Sequence, residues 1–198
     1  MRLLIGPFRP RESKHAAPHV HILNTLAQTA IIWALFLFVG PTVIVLFENR
    51  CLPEWAFFPS PVSRALGATL FILASAGGLW SGITMAALGD GTPLPAMCAR
   101  RLVVAGPYQY VRNPMAVTGI SQAVAVGVYT GSPLTIAYAV TAAFIWELFF
   151  RPGEEEDLAK RFGRPYEEYR RALRCWMPRI KPYRQGTREA GPPAGRPG

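Results

Sequence analysis

Histidine is scarce in this chain: of 198 residues only His15, His19 and His21 are histidines, all ahead of the first long apolar run. The remaining chain therefore has no imidazole for a Ser-His-Asp triad or an HExxH zinc helix. His15 and His19 have a four-residue spacing open to a metal, but a cluster beside an apolar run reads as interfacial. Cysteine is equally sparse. Cys51, Cys98 and Cys175 form no CxxC pair, which argues against a zinc site and a redox dithiol. Charge is thin as well, at 17% of residues against 51% hydrophobic.

What is present is apolar length. Ile22 to Phe47 gives 26 positions without an ionisable side chain, and Ala65 to Gly89 gives 25. Each exceeds the roughly 20 residues that cross a bilayer core of about 30 Å. Two shorter runs, 114–129 and 133–150, are joined by Thr130, Gly131 and Ser132 and interrupted only by Glu147. They read as a hairpin packed on the two full spans. The expectation is an all-α, multi-pass transmembrane bundle of about four spans. The first run is too long for a signal peptide and is preceded by about twenty residues.

The basic residues give the orientation. With four spans, nineteen of the 21 Lys and Arg lie on one side, and only Arg50 and Arg64 on the other. The positive-inside rule places both termini in the cytoplasm. The net charge of +9 then calls for no nucleic acid, because a basic face resting on anionic lipid accounts for it. Small residues at four-residue spacing, Ala74, Gly78, Gly82 and Ala86, then Gly119, Ala123 and Gly127, predict close helix approach in lipid. Pro41 predicts a kink in the first span. The chain thus divides into an N-terminal segment 1–21, a membrane domain 22–183 and a tail 184–198 whose Gly, Pro and Arg content predicts disorder.

Polar groups gather in two places. Gly89-Asp90-Gly91 opens the second loop, which closes with Gly106-Pro107-Tyr108-Gln109-Tyr110-Val111-Arg112-Asn113-Pro114. After the fourth span, Glu154-Glu155-Glu156-Asp157-Leu158 precedes a stripe of Leu158, Phe162, Tyr166, Tyr169 and Leu173 at three- and four-residue spacing. That stripe predicts amphipathic helices over about 153–175, split by Gly163 and Pro165, lying in the headgroup plane or folded over the span ends at the cytoplasmic face.

The string LVVAGPYQYVRNPM, a helical hairpin, then EEEDLAKRFGRPYEEYRR and Trp-Met-Pro-Arg resembles the isoprenylcysteine carboxyl methyltransferase and phospholipid methyltransferase superfamily. The likeness runs from about Gly89 to Tyr183. It implies an integral membrane enzyme that uses S-adenosylmethionine, with Gly89, Gly91, Glu154 and Glu155 in the two cofactor motifs. Arg112, Asn113, Pro114 and the following Met115 correspond to the R-x-P element that helps wall the cofactor pocket. The family's histidine is Asn113 here, as in many bacterial-type members, and its tyrosine two residues after the proline is Ala116. A bacterial plasma membrane is the expected location.

Chemistry agrees with the resemblance. The glutamates suit the cofactor's hydroxyls or ammonium, and Tyr108, Tyr110, Tyr166 and Tyr169 suit its adenine or sulfonium. Methyl transfer is an in-line displacement in which positioning and water exclusion supply most of the rate. A lipophilic or prenylated carboxylate acceptor needs an arginine to orient it, Arg112 first and Arg151 second. An amine acceptor, such as an ethanolamine headgroup, needs a base, for which Glu147 is positioned, although it also suits an interfacial role. Carboxyl O-methylation is the leading expectation. Phospholipid N-methylation and a non-catalytic membrane protein retaining the fold are the alternatives.

Overall fold

The computed structural model describes residues 18–54, 59–89 and 100–184, so His15, Gly91, Cys98 and the tail from 185 lie outside the described residues. All its regular structure is helical. The first long helix begins as α1 (Pro18–Ile32), passes through a π-helical segment, Trp33–Val39, and continues as α2 (Gly40–Cys51). The Gly40 N–H reaches back five residues to Leu35 O, and Pro41, which has no N–H to place, enters in the first turn of α2. The expected kink is therefore taken up as a change of winding.

Three further helices start in the same way. Ser60, Asn113 and Ser132 each accept a hydrogen bond from the backbone N–H three residues on, and a proline follows each one. The cap satisfies an orphan donor and the proline sits where no N–H is needed. These starts open α3 (Pro61–Leu88), α4 (Pro114–Thr130) and α5 (Pro133–Ile145). A second π-helical segment, Trp146–Phe150, carries α5 without a break into α6 (Arg151–Phe162). Gly163, at φ 55°, ends that helix, and α7 (Arg164–Ala172) follows.

Among the described residues, three helices are long and apolar enough to cross a membrane: Ile22–Cys51, Pro61–Leu88 and Pro133–Phe162. The protein is thus an integral, multi-pass helical membrane protein. At 17 residues α4 is shorter, about 25 Å at 1.5 Å per residue. It runs antiparallel to α3 along most of that helix. Thr118 lies against Gly77 and Gly78, Gln122 Nε2 donates to Ser75 Oγ at 2.9 Å, and the Tyr129 backbone reaches Gly67.

The small residues act as the pattern predicts, with two exceptions. A Cβ on Gly78 would meet Thr118 Oγ1 at 3.1 Å, and one on Gly127 would meet Ile136 N of α5 at 3.0 Å. Gly119, by contrast, has nothing within 4 Å of that position, so no close helix approach depends on its lacking a side chain. The tightest approach is at Gly67, outside the stripe, where a Cβ would lie 2.7 Å from Tyr129 N.

At the opposite end from the polar motifs, Glu48 is buried over the start of α5. Ser132 Oγ donates to its Oε2, and the Leu134 N–H reaches Oε1 at 3.5 Å. A carboxylate at a helix N-terminus meets both free N–H groups and the positive end of the dipole. This contact ties the end of α2 to the α4–α5 turn.

Candidate active site

At the end of the bundle where α3 finishes and α4 begins, the second loop, α6, α7 and the following segment close around one cavity. The second loop enters it through a 3₁₀ turn, Gly106–Gln109, started by Gly106 at φ 53°. That turn buries Tyr108, whose carbonyl accepts from Tyr169 Oη of α7 at 2.8 Å. The apolar stripe folds over the span ends: Tyr166, Tyr169 and Leu173 are buried against Leu102, Val104, Leu158, Phe162 and Tyr183. Burial pushes the phenol of Tyr166 up to about 12, with the Glu155 charge adding to it. Burial likewise raises Tyr108 and Tyr169, so all three remain neutral hydrogen-bonding groups at physiological pH.

Charge in the cavity is organised around Glu155. Its Oε1 lies 2.9 Å from Arg112 Nη1 and 3.8 Å from Arg151 Nη1, and its Oε2 is 3.8 Å from Arg170 Nη1. Arg151 also reaches Glu147 Oε1 at 3.0 Å, and Glu147 Oε2 accepts from Trp176 Nε1 at 2.8 Å. Glu147 is thereby engaged at the end of the last apolar run, and not left to snorkel freely. Among the described residues, three guanidinium nitrogens stay buried without a hydrogen-bond partner: Arg112 Nε and Nη1, and Arg151 Nε. Arg112 Nη1 is close to Glu155 yet poorly aligned with it, so the contact is an ion pair without a directed hydrogen bond. Glu154 also lines the cavity but has an exposed side and forms no ion pair among the described residues.

Of the residues singled out by sequence, Tyr108, Arg112, Asn113, Arg151, Glu154, Glu155, Tyr166 and Tyr169 all face this one cavity. Gly89, Tyr110, Pro114, Met115 and Glu147 do not line it, and Gly91 lies outside the described residues. Gly89 is buried and its carbonyl accepts from the N–H groups of Arg100 and Arg101 at 2.7 and 3.1 Å, so it shapes the loop. Pro114 opens α4, and Met115 packs toward Gly82 of α3. Asn113 has a second task, because its Oδ1 accepts from Ala116 N at 3.0 Å and caps α4.

Sequence reasoning missed Met85, Trp146 and Cys175, which also line the cavity. Trp146 meets Trp176 edge-on at 5.2 Å between ring centroids. The thiol of Cys175 is buried, which raises its pKa against the pull of Arg112 and Arg151. No spacing rule marks these residues; only the fold brings them to Arg112.

Comparison with known proteins fits this arrangement. The sequence profile of the family described as phospholipid methyltransferase matches residues 62–165, just over half of the chain, and the chain belongs to that family. It is therefore an S-adenosylmethionine-dependent methyltransferase acting on a membrane-associated, lipophilic substrate. No curated protein and no solved structure matches the chain. The cavity suits the cofactor's groups. The orphaned N–H groups of Arg112 and Arg151 can take its amino-acid carboxylate, and Glu154 or Glu155 its hydroxyls or ammonium.

Proposed function

We propose that the enzyme N-methylates an amine-bearing phospholipid headgroup, of the ethanolamine type, at this cavity. One observation carries the reading: Glu154 is in no ion pair among the described residues and has the indole N–H of Trp146 beside it, whereas Arg112 and Arg151 already face carboxylates. An ammonium is attracted both by a carboxylate and by an aromatic face. A carboxylate acceptor would have to share with the cofactor's carboxylate the few Arg112 and Arg151 N–H groups that Glu155 and Glu147 leave free.

When bound, the cofactor supplies an electrophilic methyl on a sulfonium. The protein's residues must then deliver a neutral amine in line with it. In this reading Glu154 takes the headgroup proton and, having an exposed side, passes it to water. Arg112 and Arg151 hold the cofactor's carboxylate, the tyrosines and Phe162 exclude water, and Trp146 steadies the cation. Purified enzyme given labelled S-adenosylmethionine and mixed bilayers should put label into methylated ethanolamine lipid. Label recovered instead as an alkali-labile methyl ester would identify a carboxylate acceptor.

The same reading includes topology. The antiparallel run of α4 along α3 supports four crossing helices with both termini cytoplasmic, which puts the cavity at the inner face and Cys51, exposed and unpaired, outside. An impermeant maleimide should modify Cys51 in intact cells. Reaction only after permeabilisation would reverse the orientation.

A further inference from the structure

After α7 the chain runs from Leu173 to Arg184 without regular structure, yet three backbone hydrogen bonds hold it as a strap across the second loop. Arg112 N donates to Arg174 O at 3.1 Å, Arg179 N to Tyr110 O at 2.9 Å, and Tyr183 N to Gln109 O at 2.8 Å. The inward side chains line or back the cavity wall. Cys175 lines the cavity, Trp176 meets Trp146 and Glu147, and Tyr183 packs on Tyr169 at 5.8 Å.

The outward side differs sharply. Met177 is 61% exposed and Ile180 97%, interleaved with exposed Arg179, Lys181 and Arg184. The segment 173–184 contains no acidic residue. Through Trp176 and Trp146 it is continuous with the exposed apolar belt of Leu148, Phe149 and Phe150 that ends the last span. Apolar side chains flanked by cations, at the level where an apolar belt stops, match the boundary between acyl chains and headgroup phosphates.

We propose that this strap is a docking site for anionic phospholipid, seated by Met177 and Ile180 and by Arg179, Lys181 and Arg184, and that docking, by holding the strap against the second loop, fixes Arg112 and Cys175 in the cavity wall. The Arg112 N–H donates to the strap and Cys175 belongs to it, so a lipid that favours the seated strap favours the assembled wall, and the coupling is reciprocal. The proposal rests on cofactor binding at this cavity and is independent of the acceptor.

The test is calorimetric titration of S-adenosylmethionine into the full-length protein in nanodiscs of phosphatidylcholine, with and without phosphatidylglycerol. The anionic discs should tighten binding about fivefold or more, and raised salt should erode the gain. The variant Arg179→Gln/Lys181→Gln/Arg184→Gln should bind as wild type does in phosphatidylcholine discs and lose the gain. Ile180→Ser should lose part of it. Equal wild-type affinity in the two disc types overturns the proposal, as does a triple variant that keeps the full gain. A triple variant already weakened in phosphatidylcholine discs also overturns it, since those side chains would then serve the cavity directly. No binding in either disc type would overturn both the proposal and the location of the cofactor site.

Discussion

Glu154→Gln should lower the rate of methyl transfer about a hundred-fold or more while leaving the protein folded and still able to bind cofactor. The amide keeps the shape of the side chain but cannot take a proton, and loss of a positioned base typically costs 10²- to 10⁴-fold. The companion measurement is the pH profile of kcat/KM. An amine with a pKa near 10 is mostly protonated at neutral pH, so the wild-type profile should rise steeply between about pH 7 and 9. A carboxylate acceptor is already ionised across that window and would give a flat profile. Arg112→Lys separates the readings again. If the acceptor is an amine, the variant weakens S-adenosylmethionine, because lysine loses the planar fork, and leaves acceptor KM nearly unchanged. A flat profile together with an Arg112→Lys effect on acceptor KM would return the assignment to carboxyl O-methylation.

Glu155→Gln should damage cofactor binding more than Glu154→Gln does. Glu155 faces Arg112, Arg151 and Arg170 at once, and the Arg112–Glu155 side chains are only 13% and 19% exposed. Breaking a fully buried pair costs about 3–5 kcal/mol through the charge left behind, and partial exposure here reduces that to about 2–3 kcal/mol. The uncompensated charge would stand in the cofactor site, so the expected loss of S-adenosylmethionine affinity is about 30- to 160-fold, read by calorimetry alongside a thermal melt. Glu155→Asp keeps the charge and should recover part of it. An affinity within threefold of wild type in Glu155→Gln would remove Glu155 from its central position.

The helical architecture is legible in the sequence because lipid leaves a helix few alternatives. A run of 25 or more uncharged residues must satisfy its backbone internally. The apolar runs mark the helix starts less well: the second run begins at Ala65, whereas the Ser60-Pro61 pair opens α3 four residues earlier. The polar motifs around Arg112 and Glu155 could be found as strings, but their meeting could not be derived from spacing, since α4 and α5 intervene. Trp146, Cys175 and Met85 were illegible for the same reason: each is an ordinary apolar residue of its own segment until the chain folds back. Glu48 escaped notice because, just beyond the first run, it reads as a solvated end, whereas the α4–α5 turn buries it. Gly119 shows the converse error, a residue that fits the small-residue pattern with open space where a side chain would stand.

The helix from Pro133 to Phe162 is unbroken, with its apolar part ending at Phe150 and Glu154 one turn further on. With the hydrocarbon taken to end at Phe150 and the helix upright, 1.5 Å per residue would set the carboxylate about 6 Å beyond that edge, as if on a rigid post. Depth thereby becomes a criterion of selection. A lipid pinned by its acyl chains can offer only those atoms that float at that height, so the length of spacer between glycerol and reactive group matters alongside its chemistry. Acceptors one methylene shorter or longer would be sorted by altitude before any contact read their shape.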